Sequence, residues 1–132
     1  LLMGSLSRTK GASAERQVIN LLHEQLGVKL KRNLMQSFEG GHDLQGEGCL
    51  SDFAIEIKHY AKVSNSLIKQ WWLQATEQAG RVNKLPVLIY RGDREDFKVM
   101  IEGRLIGGLF EGELAPVNIT FDSFCYLVRE RA

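Results

Sequence analysis

The stretch that most restricts the fold runs from Phe53 to Tyr90. Phe53-Ala54-Ile55-Glu56-Ile57-Lys58 alternates apolar and polar residues, so a strand over 52–60 places Phe53, Ile55 and Ile57 on one face and Glu56 and Lys58 on the other. After a polar link, Asn65 or Ser66 can cap a helix to about Ala79. Its apolar stripe is Leu67, Ile68, Trp71, Trp72, Ala75 and Ala79, and Gly80 is its stop. Pro86-Val87-Leu88-Ile89-Tyr90 is a continuous apolar run, the pattern of a strand covered on both faces. Strand, helix and buried strand make a crossover unit, which lays the helix on the sheet and is right-handed by the sterics of strand twist.

Other elements attach to this unit. Val18, Ile19, Leu22 and Leu26 recur at helical spacing and predict a first helix over Ser13–Leu26, starting as early as Lys10 and stopped by Gly27. Val28 to Leu34 alternates as a strand with one wet face, and four glycines (Gly40, Gly41, Gly46, Gly48) predict bends around a short strand near Asp43. Arg91 to Asp96 reads as a turn, Phe97–Ile101 as an antiparallel return strand, and Phe121–Arg129 as a final helix capped by Thr120 or Asp122. The expectation is an α/β fold with a mixed central sheet flanked by helices, in the order α-β-β-β-α-β-β and then a C-terminal helix. A chain of 132 residues suits one domain, 1–132, with 1–9 a flexible N-terminus and 102–132 an extension packed on the core.

No segment approaches the length of a bilayer span, and Leu1–Ser5 lacks the apolar centre of a signal peptide, so no membrane partner and a cytoplasmic location are expected. Cys49 and Cys125 have no zinc or CxxC spacing and read as free thiols. Net charge is only +1, but it is unevenly distributed. Arg8 to Arg32 holds six basic residues against two acids, whereas Asn33 to Ile57 holds five acids and no Lys or Arg. That pattern is a basic rim beside an acidic pocket.

Three clusters of residues stand in a meaningful order: Lys10-Gly11-Ala12-Ser13-Ala14-Glu15-Arg16, Gly40-Gly41-His42-Asp43-Leu44, and Ile55-Glu56-Ile57-Lys58. With Trp71-Trp72-Leu73-Gln74-Ala75 and Pro86–Tyr90, they resemble the PD-(D/E)XK nuclease superfamily. More narrowly they are similar to archaeal Holliday-junction resolvases and their small phage-borne relatives. The resemblance covers roughly residues 10 to 101, and His42 stands where the superfamily's name places a Pro.

The resemblance implies a restriction-endonuclease-like core and a metal-dependent endodeoxyribonuclease of phage or prophage origin that cuts branched DNA in recombination or repair. Its cofactor would be Mg2+, with Mn2+ able to substitute, and its catalytic set Glu15, Asp43, Glu56 and Lys58. Asp43, Glu56 and the backbone carbonyl of Ile57 would hold the metal, with Glu15 reaching it through water or at a second site. Few protein ligands, mainly oxygen, suit Mg2+. Lys58 would hold the attacking water or the scissile phosphate; two neighbouring carboxylates favour its charged form, and so a positioning role over that of a general base. Lys10, Arg16, Lys31, Arg32 and Lys62 are candidate DNA-phosphate contacts, and Gln74 a supporting residue on the second helix. A four-way junction is resolved by two symmetric cuts, which implies a homodimer.

Each residue also has a plainer reading. Glu15 in the first turn of a helix is favoured by the dipole, Asp43 is a turn carboxylate after glycines, and Glu56 with Lys58 is a solvated cross-strand pair. Trp71 and Trp72 pack the second helix. Two other functions stay open: a nicking or restriction-like repair endonuclease, and a nucleic-acid-binding module without catalysis.

Overall fold

A computed structural model describes residues 2–32, 44–107 and 115–131 of the protein. The elements are α1 (Leu2–Leu26), β1 (Lys31–Arg32), β2 (Leu44–Gln45), β3 (Phe53–Tyr60), α2 (Asn65–Arg81), β4 (Leu85–Gly92), β5 (Lys98–Glu102), β6 (Pro116–Thr120) and α3 (Phe121–Arg131). Among the described residues six strands form one sheet in sequential order, β1 to β6. Only β3 and β4 are parallel, joined by α2 as the crossover pattern predicts, and every other pair is antiparallel.

The period-two pattern of β3 sorts its side chains to two unlike faces. Phe53, Ile55 and Ile57 join Val87, Ile89, Val99 and Ile101 in the larger core, closed by Ala14, Val18 and Leu22 of α1 and Phe124, Cys125 and Val128 of α3. Phe124 meets Phe53 edge to face, with centroids 5.9 Å apart at 76°. The opposite face carries Leu88, Tyr90 and Met100 under Trp71, Trp72 and Ala75 of α2. The result is a three-layer α/β/α arrangement, a mixed sheet flanked by helices.

Several local expectations hold. The helix α1 ends at Leu26, where Gly27 takes φ +69° and its N–H donates to the His23 carbonyl at 2.9 Å. Both tryptophans are buried on the α2 stripe. Thr120 caps α3 by accepting from the Ser123 N–H at 3.1 Å. Cys49 and Cys125 are free thiols, and burial pushes the Cys125 thiol up to about 11.

Other expectations need correcting. The helix α1 begins at Leu2, well before Lys10. Within the described residues the first strand is only Lys31–Arg32; Asn33 and Leu34, and the bend through Gly40, Gly41 and His42, lie outside them. Ser64, not Asn65 or Ser66, caps α2 by accepting from the Leu67 N–H at 3.2 Å. Gly80 does not stop α2; it is its penultimate residue, and the left-handed turn falls on Asn83 at φ 54°. Asn tolerates that conformation because its short side chain avoids much of the steric cost. The strand β6 was not anticipated, since Val117 and Ile119 are its only two core-facing apolar residues. Its partner β5 supplies the missing signal, pairing Val99 with Ile119 and Ile101 with Val117.

Candidate active site

The site is built on β3. Glu56 lies at mid-strand beside Leu88 in the parallel ladder and is 3% exposed. Two residues on, and therefore on the same face, Lys58 brings Nζ to 3.5 Å from Glu56 Oε1. That separation exceeds the roughly 2.7–2.9 Å of a charge-assisted hydrogen bond, so the contact is coulombic. The face opens toward its C-terminal end: the Lys58 side chain is partly exposed and Tyr60 is 45% exposed. A buried carboxylate thus grades into a solvent-facing ammonium within a few residues. The solvated-pair reading of Glu56 fails on its burial.

Glu15 stands on the middle of α1 and is buried, at 7% exposure. Because α1 starts at Leu2, Glu15 is not in a first turn, and the helix dipole does not account for it. Asp43 lies outside the described residues. Its chain neighbour Leu44 pairs with Ile55, the residue before Glu56. Gly46, at the exit from β2, is required there because a Cβ would collide with the Leu50 carbonyl.

The basic candidates divide by environment. Lys10 is committed to an ion pair, with Nζ 2.9 Å from both carboxylate oxygens of Asp93. Arg16, Lys31 and Lys62 are exposed. Arg32 lies in β1, and its side chain is outside the described set. Gln74 is exposed on α2, while Gln78, one turn further, is the buried amide of that helix. The spacing Trp71, Ala75, Gln78 places Gln78 on the apolar stripe and could have singled it out in the sequence.

Sequence reasoning missed Asp93, which it placed in a turn. The carboxylate accepts from Lys10 and also meets His59 Nε2 at 2.8 Å, next in chain to Lys58. Lys10 and His59 together hold the Asp93 carboxyl below the usual carboxylate range, with Lys10 the larger cause. A second tie joins the same elements: Arg91 reaches Gln17 Oε1 at 3.1 Å and stacks on Phe97. These contacts fasten α1, which carries Glu15, to the C-terminal ends of β3 and β4. No local pattern announces a contact between residues 10 and 93.

A family model described as "Phage putative PDDEXK endonuclease" matches residues 6–124, a span that includes β3 with Glu56 and Lys58. The chain belongs to this family of phage PDDEXK endonucleases. Protein D14 of Escherichia phage T5 is 27% identical over 113 residues, with 73% of this chain and 71% of that protein covered. PDDEXK nucleases generally use divalent metals. Among the described residues no three His, Cys, Asp or Glu side chains cluster closely enough to hold an ion. The buried carboxylates of Glu56 and Glu15 are nevertheless hard oxygen donors of the type such a metal takes, so the donor chemistry fits the PDDEXK requirement. No helix among the described residues is long and apolar enough to cross a membrane.

Proposed function

We propose that the protein is a Mg2+-dependent endodeoxyribonuclease that hydrolyses phosphodiester bonds in branched DNA, in the manner of a Holliday-junction resolvase and as a homodimer. The observation that carries this reading is the burial of Glu56 with Lys58 Nζ 3.5 Å away at the open end of the same strand face. A carboxylate in a low-dielectric site interacts strongly with a cation placed beside it, and an ammonium at the edge of that site can reach an entering phosphate or water.

In this reading Asp43, Glu56 and the Ile57 carbonyl hold the ion, Mn2+ substitutes for Mg2+, and Glu15 acts through water. The bound ion would supply neutralisation of the charge that develops on the phosphoryl oxygens. Lys58 orients the attacking water or the scissile phosphate from the exposed side. Its charge also offsets part of the charge of Glu56 before substrate arrives. The Asp93 contacts to Lys10 and His59 keep α1 against the end of β3, which fixes Glu15 relative to Glu56. Arg16, Lys31, Arg32 and Lys62 contact backbone phosphates, which position DNA without reading it. Two sites in a twofold dimer deliver the paired cuts that a four-way junction requires.

The test incubates the protein with a synthetic four-way junction, the matching duplex and single-stranded DNA, each with Mg2+ and with chelator. Junction cleavage that needs the metal and disappears in Asp43→Asn and Glu56→Gln is expected. Cleavage of none of the substrates overturns the enzyme reading. Preference for plain duplex moves the protein to the nicking or restriction-like class, and a monomer by light scattering on the junction removes the twofold mechanism.

A further inference from the structure

We infer that the surface leaving the catalytic strand, made by Tyr60, Lys62, Lys69 and the N-terminus of α2, is a platform for one unpaired nucleotide of the substrate, stacked on Tyr60. This rests on the nuclease reading and adds what the site selects, namely DNA with a splayed strand beside the cut.

Tyr60 follows Lys58 by two residues on the same strand face, so its Cα lies about 6.6 Å from that of Lys58 at the usual strand rise. It is the exposed aromatic of this region, at 45%, whereas Trp71 and Tyr90 behind it are buried. The Tyr60 ring rests on Trp71 with centroids 5.1 Å apart, and Trp71 in turn contacts Tyr90 at 6.2 Å. Tyr60 is therefore held against buried Trp71 at a tilt of 48°, in a chain of aromatic contacts, while nearly half of the residue meets solvent. An aromatic ring held so that a base can stack on it is the sequence-tolerant element of single-strand recognition.

Charge on this surface agrees. From Ile57 to Thr76 the chain has no Asp or Glu and three lysines, Lys58, Lys62 and Lys69. Lys62 and Lys69 are exposed, and so are Asn65, Ser66 and Gln70. The helix α2 begins at Asn65, three residues after Lys62, and its first turn carries positive partial charge. Among the described residues two acids lie next to this surface: Asp93, whose N–H donates to the Ala61 carbonyl at 3.3 Å, and Glu95, whose carboxylate sits over Gly92, the ladder partner of Tyr60. The Asp93 carboxylate is taken up by Lys10 and His59, and Glu95 Oε2 lies 3.7 Å from Lys98 Nζ, so both acids have basic partners outside the platform.

The experiment measures binding, not cleavage, with Ca2+ in place of Mg2+, to two DNAs of one sequence. One is a fully paired duplex; the other is a fork with 2-aminopurine at the first unpaired position. Wild-type protein is expected to quench the fork probe and bind the fork more tightly. Tyr60→Leu should lose about ten-fold in fork affinity and the quench, Tyr60→Phe should keep both, and duplex affinity should move less than about two-fold in either. Equal binding of fork and duplex by the wild type, or fork binding by Tyr60→Leu at the wild-type level, overturns the proposal. The doubly substituted Lys62→Ser, Lys69→Ser protein changes only exposed side chains and gives a check independent of the Tyr60 packing. Its log affinity for the fork should depend on log salt with a slope smaller by about 1.4, and an unchanged slope overturns the proposal. Failure of the nuclease reading shows separately, as absence of cleavage under Mg2+ whatever the fork binding.

Discussion

Glu56-Ile57-Lys58 and Glu102-Gly103-Arg104 are the same spacing of a buried glutamate and a basic residue, and they differ in how the base meets the acid. Arg104 folds back from a 3-10 turn after β5 and meets both carboxylate oxygens of Glu102, with Nε 2.9 Å from Oε2 and a terminal nitrogen 3.4 Å from Oε1. Only the contact to Oε1 has hydrogen-bond geometry; the one to Oε2 is an ion pair. Lys58 extends along a strand and approaches a single oxygen of Glu56 at the longer distance of 3.5 Å. A lysine is a flexible point charge and can turn to a ligand, whereas the planar guanidinium of Arg104 contacts both oxygens of its partner at once. The same spacing thus gives a two-oxygen contact at Glu102 and a single, longer lysine contact at Glu56, at the open end of a strand face.

The largest test of this contrast is turnover. Glu56→Gln should lower the single-turnover rate on branched DNA by at least about 10²-fold, whereas Glu102→Gln should stay within about two-fold. Equal losses would break the comparison. Next comes metal-linked stability. Raising Mg2+ to about 100 times its dissociation constant should stabilise the wild type by about 2.7 kcal/mol in thermal unfolding, and Glu102→Gln equally. Glu56→Gln should show no such rise.

Denaturant unfolding at neutral pH sharpens the contrast from the structural side. Arg104→Ala leaves a buried carboxylate without its basic partner and should cost about 1–3 kcal/mol with little loss of activity. Lys58→Ala should cost less stability and far more activity. The smallest effect concerns Asp93. Its folded carboxyl titrates below the ordinary value, so its contribution is present at neutral pH and lost as pH falls below about 3.9 and through the folded value. The urea midpoints of wild type and Asp93→Asn should therefore differ slightly at pH 7 and converge in acid; divergence in acid would contradict the assignment.

Legibility followed the range of the interactions. The crossover unit could be read because α2 and its flanking strands each carry a local period that matches their burial. Trp71 and Trp72 lie on their stripe as its 3.6-residue period requires, and Gly27 ends α1 by a conformation glycine adopts at little cost. The strand β6 could not be read, since its apolar positions gain meaning only opposite Val99 and Ile101. Glu15 could be singled out in the sequence, but its burial in mid-helix could not, because that depends on α1 continuing back to Leu2 and packing on the sheet.

By itself the sequence determined the α/β class, the parallel β3–β4 pair and the sharing of one face by Glu56 and Lys58, because local periods and turn residues dictate these. Tertiary structure alone decided that Glu56 is buried, that Asp93 ties Lys10 to His59, that Gln78 and not Gln74 is enclosed, and that Tyr60 stays half open on Trp71. Those facts depend on which residues, far apart in the chain, come to exclude water from one another, and no local pattern encodes that.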